Sequence, residues 1–200
     1  MALQNLNKAI ELKANYGFAY WQRVETYNGM KKYDLAINDL KEIEKFTPND
    51  IKVMNHIGIF YGKLQRFDLA FQYYQKCLLL EKKPFILLNM TENSICQGNF
   101  PAAERTANEA SGLAKDIRDR IFAKYLLVTT LILSKKEYIL ELKEMIEIFK
   151  ANPDFSVGAW FFEEVLTCLP KFSVEEESKA LIQKIILMLK KEIRPEEIGI

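Results

Sequence analysis

Large apolar side chains recur three, four and seven residues apart along nearly the whole chain, and charged residues fill the positions between them. That spacing buries one stripe of an α-helix and leaves the opposite face to water. No stretch alternates with the period of two that a half-buried strand requires. The pattern predicts helices over 2–13, 18–30, 34–46, 51–64, 68–81, 85–97, 101–114, 117–134, 138–150, 155–168 and 174–192. The punctuation between them agrees. Thr47-Pro48-Asn49-Asp50 stops one helix and caps the next at Asp50. Asn99-Phe100-Pro101 puts a proline in a first turn. Asn152-Pro153-Asp154 repeats the stop-and-cap arrangement, and Ser173-Val174-Glu175-Glu176 has the spacing of a capping box.

The helical pattern repeats itself. The run Tyr33-x-x-Ala36, followed by Leu40, Ile43 and Pro48, returns 34 residues later as Phe67-x-x-Ala70, Tyr74 and Cys77. Ala2, Leu6 and Ala9 hold the same offsets 34 residues earlier. Tyr20, Val24 and Tyr27 precede the first copy as Met54, Gly58 and Tyr61 precede the second. Two helices approach closely only where a side chain at the crossing is small, and Ala or Gly supplies that. An aromatic in the turn, Tyr33 or Phe67, covers the open end of the pair.

These residues resemble the tetratricopeptide repeat, in which a large, a small and an aromatic residue precede an aromatic-x-x-Ala run and a late proline. The resemblance implies an all-α, right-handed α-solenoid of stacked antiparallel helix pairs, here about eleven helices. It is read as one domain over 1–200. Residues 1–16 form a half repeat, 17–50, 51–83, 84–121 and 122–155 form repeats, and 156–200 form a degenerate repeat with a C-terminal capping helix. The later copies drift. Phe100-x-x-Ala103 leads to Ala107 and Ala110. Tyr138-x-x-Glu141 lies one helical turn late, which places an extra turn near Ser111–Asp119. A fifth copy reads Ala159, Phe162, Glu163, Leu166 and Phe172. Glu141 and Glu175 take the alanine slot, so a close crossing is not expected there.

Both ends bear on partners. The first helix is a second half without its first, which implies either a piece of a larger scaffold or regulatory protein or a domain whose missing partner comes from elsewhere. The last helix carries Leu181, Ile182, Ile185, Ile186, Leu187, Met188 and Leu189 over too wide an arc for a polar-faced cap. Either the tail folds back over it or it meets another chain, which would make a homodimer through the C-terminal helix.

Composition narrows the function class. The formal net charge is +1 with no Lys/Arg block, so the electrostatic footprint of a nucleic-acid binder is missing. The longest apolar run, Tyr125–Leu133, is too short to cross a bilayer, and no apolar leader is visible. Cys77, Cys96 and Cys168 are widely spaced and odd in number, which reads as small buried thiols in a cytoplasmic protein rather than a disulfide scaffold. Asn89-Met90-Thr91 matches a glycosylation acceptor by chance within a helix. One histidine, His56, stands without metal-ligand spacing, and no phosphate loop, nucleophile elbow or zinc motif occurs. Adjacent carboxylates such as Glu163-Glu164 point different ways on a helix and make no acid–base pair. The reading is non-catalytic, with no cofactor and no metal.

The resemblance implies a protein-interaction module with a concave groove lined by the first helix of each pair. The lining positions are Trp21, Glu25 and Asn28; Asn55 and Ile59; Leu88 and Glu92; Leu126 and Thr130; and Trp160 and Glu164. Aromatic and aliphatic anchors beside carboxylates would take an extended or helical protein or peptide segment carrying a Lys or Arg. Trp21 and Trp160 have the alternative of packing as core. Some members of the family hold chaperone carboxylate tails through a clamp of Lys, Asn and Arg. The corresponding slots here hold Trp21, Glu25, His56 and Asn89, and a glutamate there would repel a carboxylate. A self-association solenoid and a regulatory peptide sensor are the rival readings.

Overall fold

A computed structural model describes residues 2–157 and 162–199, the side chain of Glu163 excepted. The chain divides into two compact units, Met1–Lys82 and Lys83–Ile200, where the sequence reads as a single domain. Among the described residues every regular element is helical.

The first unit holds α1 (Ala2–Leu12), α2 (Gly17–Gly29), α3 (Tyr33–Phe46), α4 (Ile51–Lys63) and α5 (Phe67–Leu80), each packed on the next. The small residues sit where the repeat needs them. Ala36 and Ala70 are completely buried, and Gly58 faces the Tyr74 ring. Val24, Leu40, Ile43, Val53, Ile57 and Cys77 fill the space around them. Side chains of this size stabilise by about 1.5–3 kcal/mol each on full burial. The turn aromatic Tyr33 stacks on Phe60, with ring centroids 5.8 Å apart. Asp50 caps α4 as expected, its Oδ1 accepting from the backbone N–H groups of Lys52 and Val53 at 2.8 and 3.3 Å. A polar link ties the first pair together. Arg23 of α2 donates twice to buried Asp39 of α3, at 2.7 and 2.6 Å, and once to Asn7 of α1 at 2.7 Å. The hydrogen bonds to Asp39 raise the Arg23 pKa against the cost of partial burial. α1 itself contains no buried residue; Leu6 and Ala9 are half-buried and Ala2 is exposed.

The second unit holds α6 (Pro84–Gln97), α7 (Phe100–Leu113), α8 (Ile117–Leu133), α9 (Ile139–Lys150), α10 (Glu163–Cys168) and α11 (Glu176–Leu189), with 3₁₀ turns at Leu169–Lys171 and Pro195–Ile198. Ala103, Ala107 and Ala110 are fully buried along α7. Ala107 meets Leu127 and Leu131 under the turn aromatic Tyr138. Asn99 caps α7 through the Ala102 N–H. The extra turn lies at the start of α8, which Asp116 caps and which has 17 residues against 13 in α2 or α4. At the Glu141 slot an ion pair replaces the close crossing: Lys124 of α8 binds Glu141 and, at 2.6 Å, Glu144 of α9. Burial opposes the Lys124 charge, but hydrogen bonds to both carboxylates outweigh it and raise the pKa.

The repeat is also written in the turns. Lys31, Gln65, Gly98 and Lys135 each adopt a left-handed conformation one or two residues past the first helix of a pair. Each donates its N–H to the carbonyl three residues back, and the following residue donates to the carbonyl five back, as in Lys32 to Tyr27 and Arg66 to Tyr61. This is the Schellman arrangement that satisfies carbonyls at a helix end.

The end of the chain departs from the sequence reading. Of the helix expected over 155–168, the described residues show only six-residue α10. α10 packs across α6 instead of extending the row of pairs. The Ser173–Glu176 capping box does not form: α11 starts at Glu176 without a side-chain cap, and Glu175 is exposed outside any crossing. The tail folds back on α11, where Ile198 is buried. Ile182, Ile185, Ile186, Met188 and Leu189 are likewise buried within the chain, so the wide apolar arc needs no second copy to cover it.

Candidate functional site

In the first unit the predicted lining converges on α2 and α4. Trp21 is half-buried, and its ring meets the His56 ring edge-on at 5.1 Å between centroids. Lys52 Nζ lies 4.7 Å from the Trp21 ring centre, a cation–π geometry. His56 Nδ1–H donates to the Lys52 carbonyl at 2.8 Å, which leaves Nε2 as the acceptor. Burial lowers the His56 pKa, while that hydrogen bond and the Glu25 charge pull the other way. Glu25 is exposed, and Asn28 and Ile59 are half-buried. Asn55 is buried and belongs to the packing. Sequence reasoning left Lys52 and His56 out of the lining, though it set His56 in a slot of the carboxylate clamp. The signal was present: with Ile59 they occupy i, i+4 and i+7, one face of α4.

In the second unit the predicted lining is closed. Leu88, Glu92, Leu126 and Thr130 are all buried, with Leu126 and Thr130 completely inaccessible. Against these helices pack α10, on α6, Phe162, on α8, and α11, also on α8. Phe162, fully buried, meets Phe122 and Tyr125 edge-on at 5.9 and 5.1 Å. Phe155 adds a further edge contact to Phe122. Glu164 is half-buried in this segment. Burial first, then the Glu92 charge, pushes the Tyr125 hydroxyl pKa well above its ordinary value. Trp160 lies outside the described residues.

The cysteines also differ from expectation. Cys96 at the end of α6 forms a disulfide with Cys168 at the end of α10, 72 residues away, with Cα atoms 5.2 Å apart. Only Cys77 remains a free, buried thiol. A bond between such distant positions carries no spacing signal, and it removes the support that unpaired thiols gave to a cytoplasmic location. Among the described residues no helix is long and apolar enough to cross a membrane.

Comparison with known proteins fits this geometry. Residues 51–84, the α4–α5 pair, match the tetratricopeptide repeat family. Three crystal structures are similar over nearly the whole chain. PilW, described as a widely conserved type IV pilus biogenesis factor, has a TM-score of 0.62 at 17% identity, covering 96% of this chain and 86% of that one. MamA has a TM-score of 0.54 at 16% identity, covering 92% and 93%. YrrB, described as a TPR protein with an unusual peptide-binding site, has a TM-score of 0.52 at 12% identity, covering 95% and 94%. At these identities the likeness is one of fold. A comparison with curated protein sequences finds no match.

Proposed function

We propose that this chain, whose α4–α5 pair matches the tetratricopeptide repeat, is a non-catalytic interaction module that binds a polypeptide segment on the α2–α4 face of its first unit. The observation that carries this reading is Trp21, a large aromatic left half-exposed on a first-helix face and framed by Lys52, His56 and exposed Glu25. A rigid aromatic with polar groups at its rim is the composition of a binding hot spot. Trp21 with Ile59 offers an apolar seat, and Glu25, one turn along α2 from Trp21, suits a Lys or Arg of the bound segment. A non-catalytic role is supported by the lone histidine, whose Nδ1 is engaged by its own helix. YrrB, similar in fold, is described as having a peptide-binding site, which suits the same class of role. A module of this kind serves a scaffold or regulatory protein.

The test is selection of a displayed library of random peptides on the full chain. The expected winners carry an apolar anchor and a basic residue. Trp21→Ala and Glu25→Lys should each weaken them by about tenfold or more, the loss of one strong interface contact. Leu79→Ser, on exposed α5 surface, should not. Absence of any selected peptide, or equal binding by all three variants, overturns the reading.

A further inference from the structure

The second unit carries a face that is buried although its composition is that of a surface. Ten of the 14 residues of α6 and 12 of the 17 of α8 are buried, so both helices are covered on all sides. Among those buried side chains are Glu92, Asn93, Ser94, Thr129 and Thr130. Charged and amide side chains are rare in a permanent core because their burial is costly. They are ordinary on a first-helix face that meets solvent or a partner part of the time.

Part of what covers this face is a short piece of the same chain, α10 on α6 and Phe162 on α8, beside α11, which also packs on α8. α10 has six residues, too few to hold a helix without its packing. Phe162 enters it with a left-handed backbone, φ 58°, which a phenylalanine adopts only when held there. The segment behaves as a ligand would: one aromatic inserted edge-on between Phe122 and Tyr125, then a short helix laid along α6. A single covalent bond secures it, Cys96–Cys168 at its far end. Cys96 Sγ also lies 3.2 Å from the Glu164 carbonyl oxygen, within reach of a thiol hydrogen once the bond is broken.

We propose that the α6–α8 face is a second peptide-binding groove, held shut in cis by Phe162–Cys168 and latched by the Cys96–Cys168 disulfide. Its occupant in trans is a polypeptide segment with an aromatic residue leading into a short helix, the chemistry of the cis segment itself. Opening requires a dithiol reductant. Two electrons and two protons pass to Cys96 and Cys168, each sulfur becoming a thiol, and the dithiol closes to its own disulfide. The freed segment then competes with a partner as a tethered ligand only. This inference concerns a different unit and different residues from the α2–α4 face, so the two stand or fall separately.

The test uses the full chain and a dye-labelled synthetic peptide FEEVLTS, which copies residues 162–168 with serine in place of the cysteine. The apparent affinity should be about tenfold or more tighter for chain reduced with dithiothreitol than for oxidised chain, because affinity scales with the open fraction. Amide hydrogen exchange should rise in α10 and along α6 and α8 on reduction, with α2–α5 unchanged. Cys96→Ser should bind the peptide with or without dithiothreitol, and Trp21→Ala should bind it as the unmodified chain does. If Cys96→Ser fails to fold, the oxidised and reduced native chain still decide. Equal binding in both redox states, no binding in either, unchanged exchange in α10, or loss of binding in Trp21→Ala would each overturn the proposal.

Discussion

A β-carbon built on Gly58 of α4 would lie 2.5 Å from Cε1 of the Tyr74 ring on α5. Tyr74 is itself buried, so the ring has little room to retreat. The crossing of this helix pair is therefore set by the absence of a side chain. Alanine at a helical glycine normally stabilises by roughly 0.5–1 kcal/mol. At Gly58 we expect the reverse, a net loss of about 1–3 kcal/mol from overpacking. Gly29→Ala serves as the reference, since nothing lies within 4 Å of its added β-carbon. Urea denaturation midpoints should fall for Gly58→Ala and hold or rise for Gly29→Ala. A rise in both would mean that the two helices do not touch there.

The left-handed turns offer the opposite experiment. Gly98 occupies its turn without strain, but Lys31, Gln65 and Lys135 hold the same conformation with side chains. A non-glycine residue in this region costs roughly 1–2 kcal/mol. Gln65→Gly should therefore raise stability, by up to about 1 kcal/mol after the added freedom of the unfolded chain is counted. Thermal melting of Gln65→Gly beside Gly98→Ala, which should lose stability, checks the assignment of a shared turn.

His56 gives a pH dependence whose sign follows from its surroundings. Burial lowers its pKa below the ordinary 6.5, against the Lys52 carbonyl and Glu25, which raise it, and with Lys52, which lowers it. In the unfolded chain the imidazole takes its proton near 6.5, before the folded one does. Between the two values the unfolded chain binds more protons, so this contribution is complete above 6.5 and is lost as pH falls through the folded value. Being the only histidine, His56 gives one imidazole NMR signal, which should titrate below 6.5. Glu25→Gln should move it lower still. A midpoint at or above 6.5 would contradict the half-buried, edge-on placement against Trp21.

Thiol chemistry separates the three cysteines. Burial pushes the Cys77 pKa up to about 11, so at pH 8 it is both covered and protonated. Native oxidised protein should take up no iodoacetamide, and denatured protein without reductant should take up one equivalent, at Cys77. Reduction in denaturant should expose all three. Mass spectrometry reads the count directly, and three equivalents before reduction would rule out the Cys96–Cys168 bond.

Much of this molecule is dictated locally. Ala36, Ala70 and Ala103 could be placed at crossings because a helix of known period turns one stripe inward, and that stripe depends on residues within a few positions of one another. Asp50 could be read as a cap for the same reason. The Lys124–Glu141 pair shows where such reading stops. The sequence shows that alanine is missing from the slot, but only the packing of α8 on α9 supplies the lysine that answers it.

The groove residues divide along that line. Trp21 and Ile59 remain half-buried and Glu25 exposed on α2 and α4. Leu88, Glu92, Leu126 and Thr130 have the same periodicity and yet are buried. Packed on α6 in this unit is a six-residue helix with too few positions to show a period, tied by a bond across 72 residues. Helix and crossing follow from the order of neighbours along the chain. The closing of the second face follows from which distant segment packs best against it, and that preference exists only once the tertiary structure has formed.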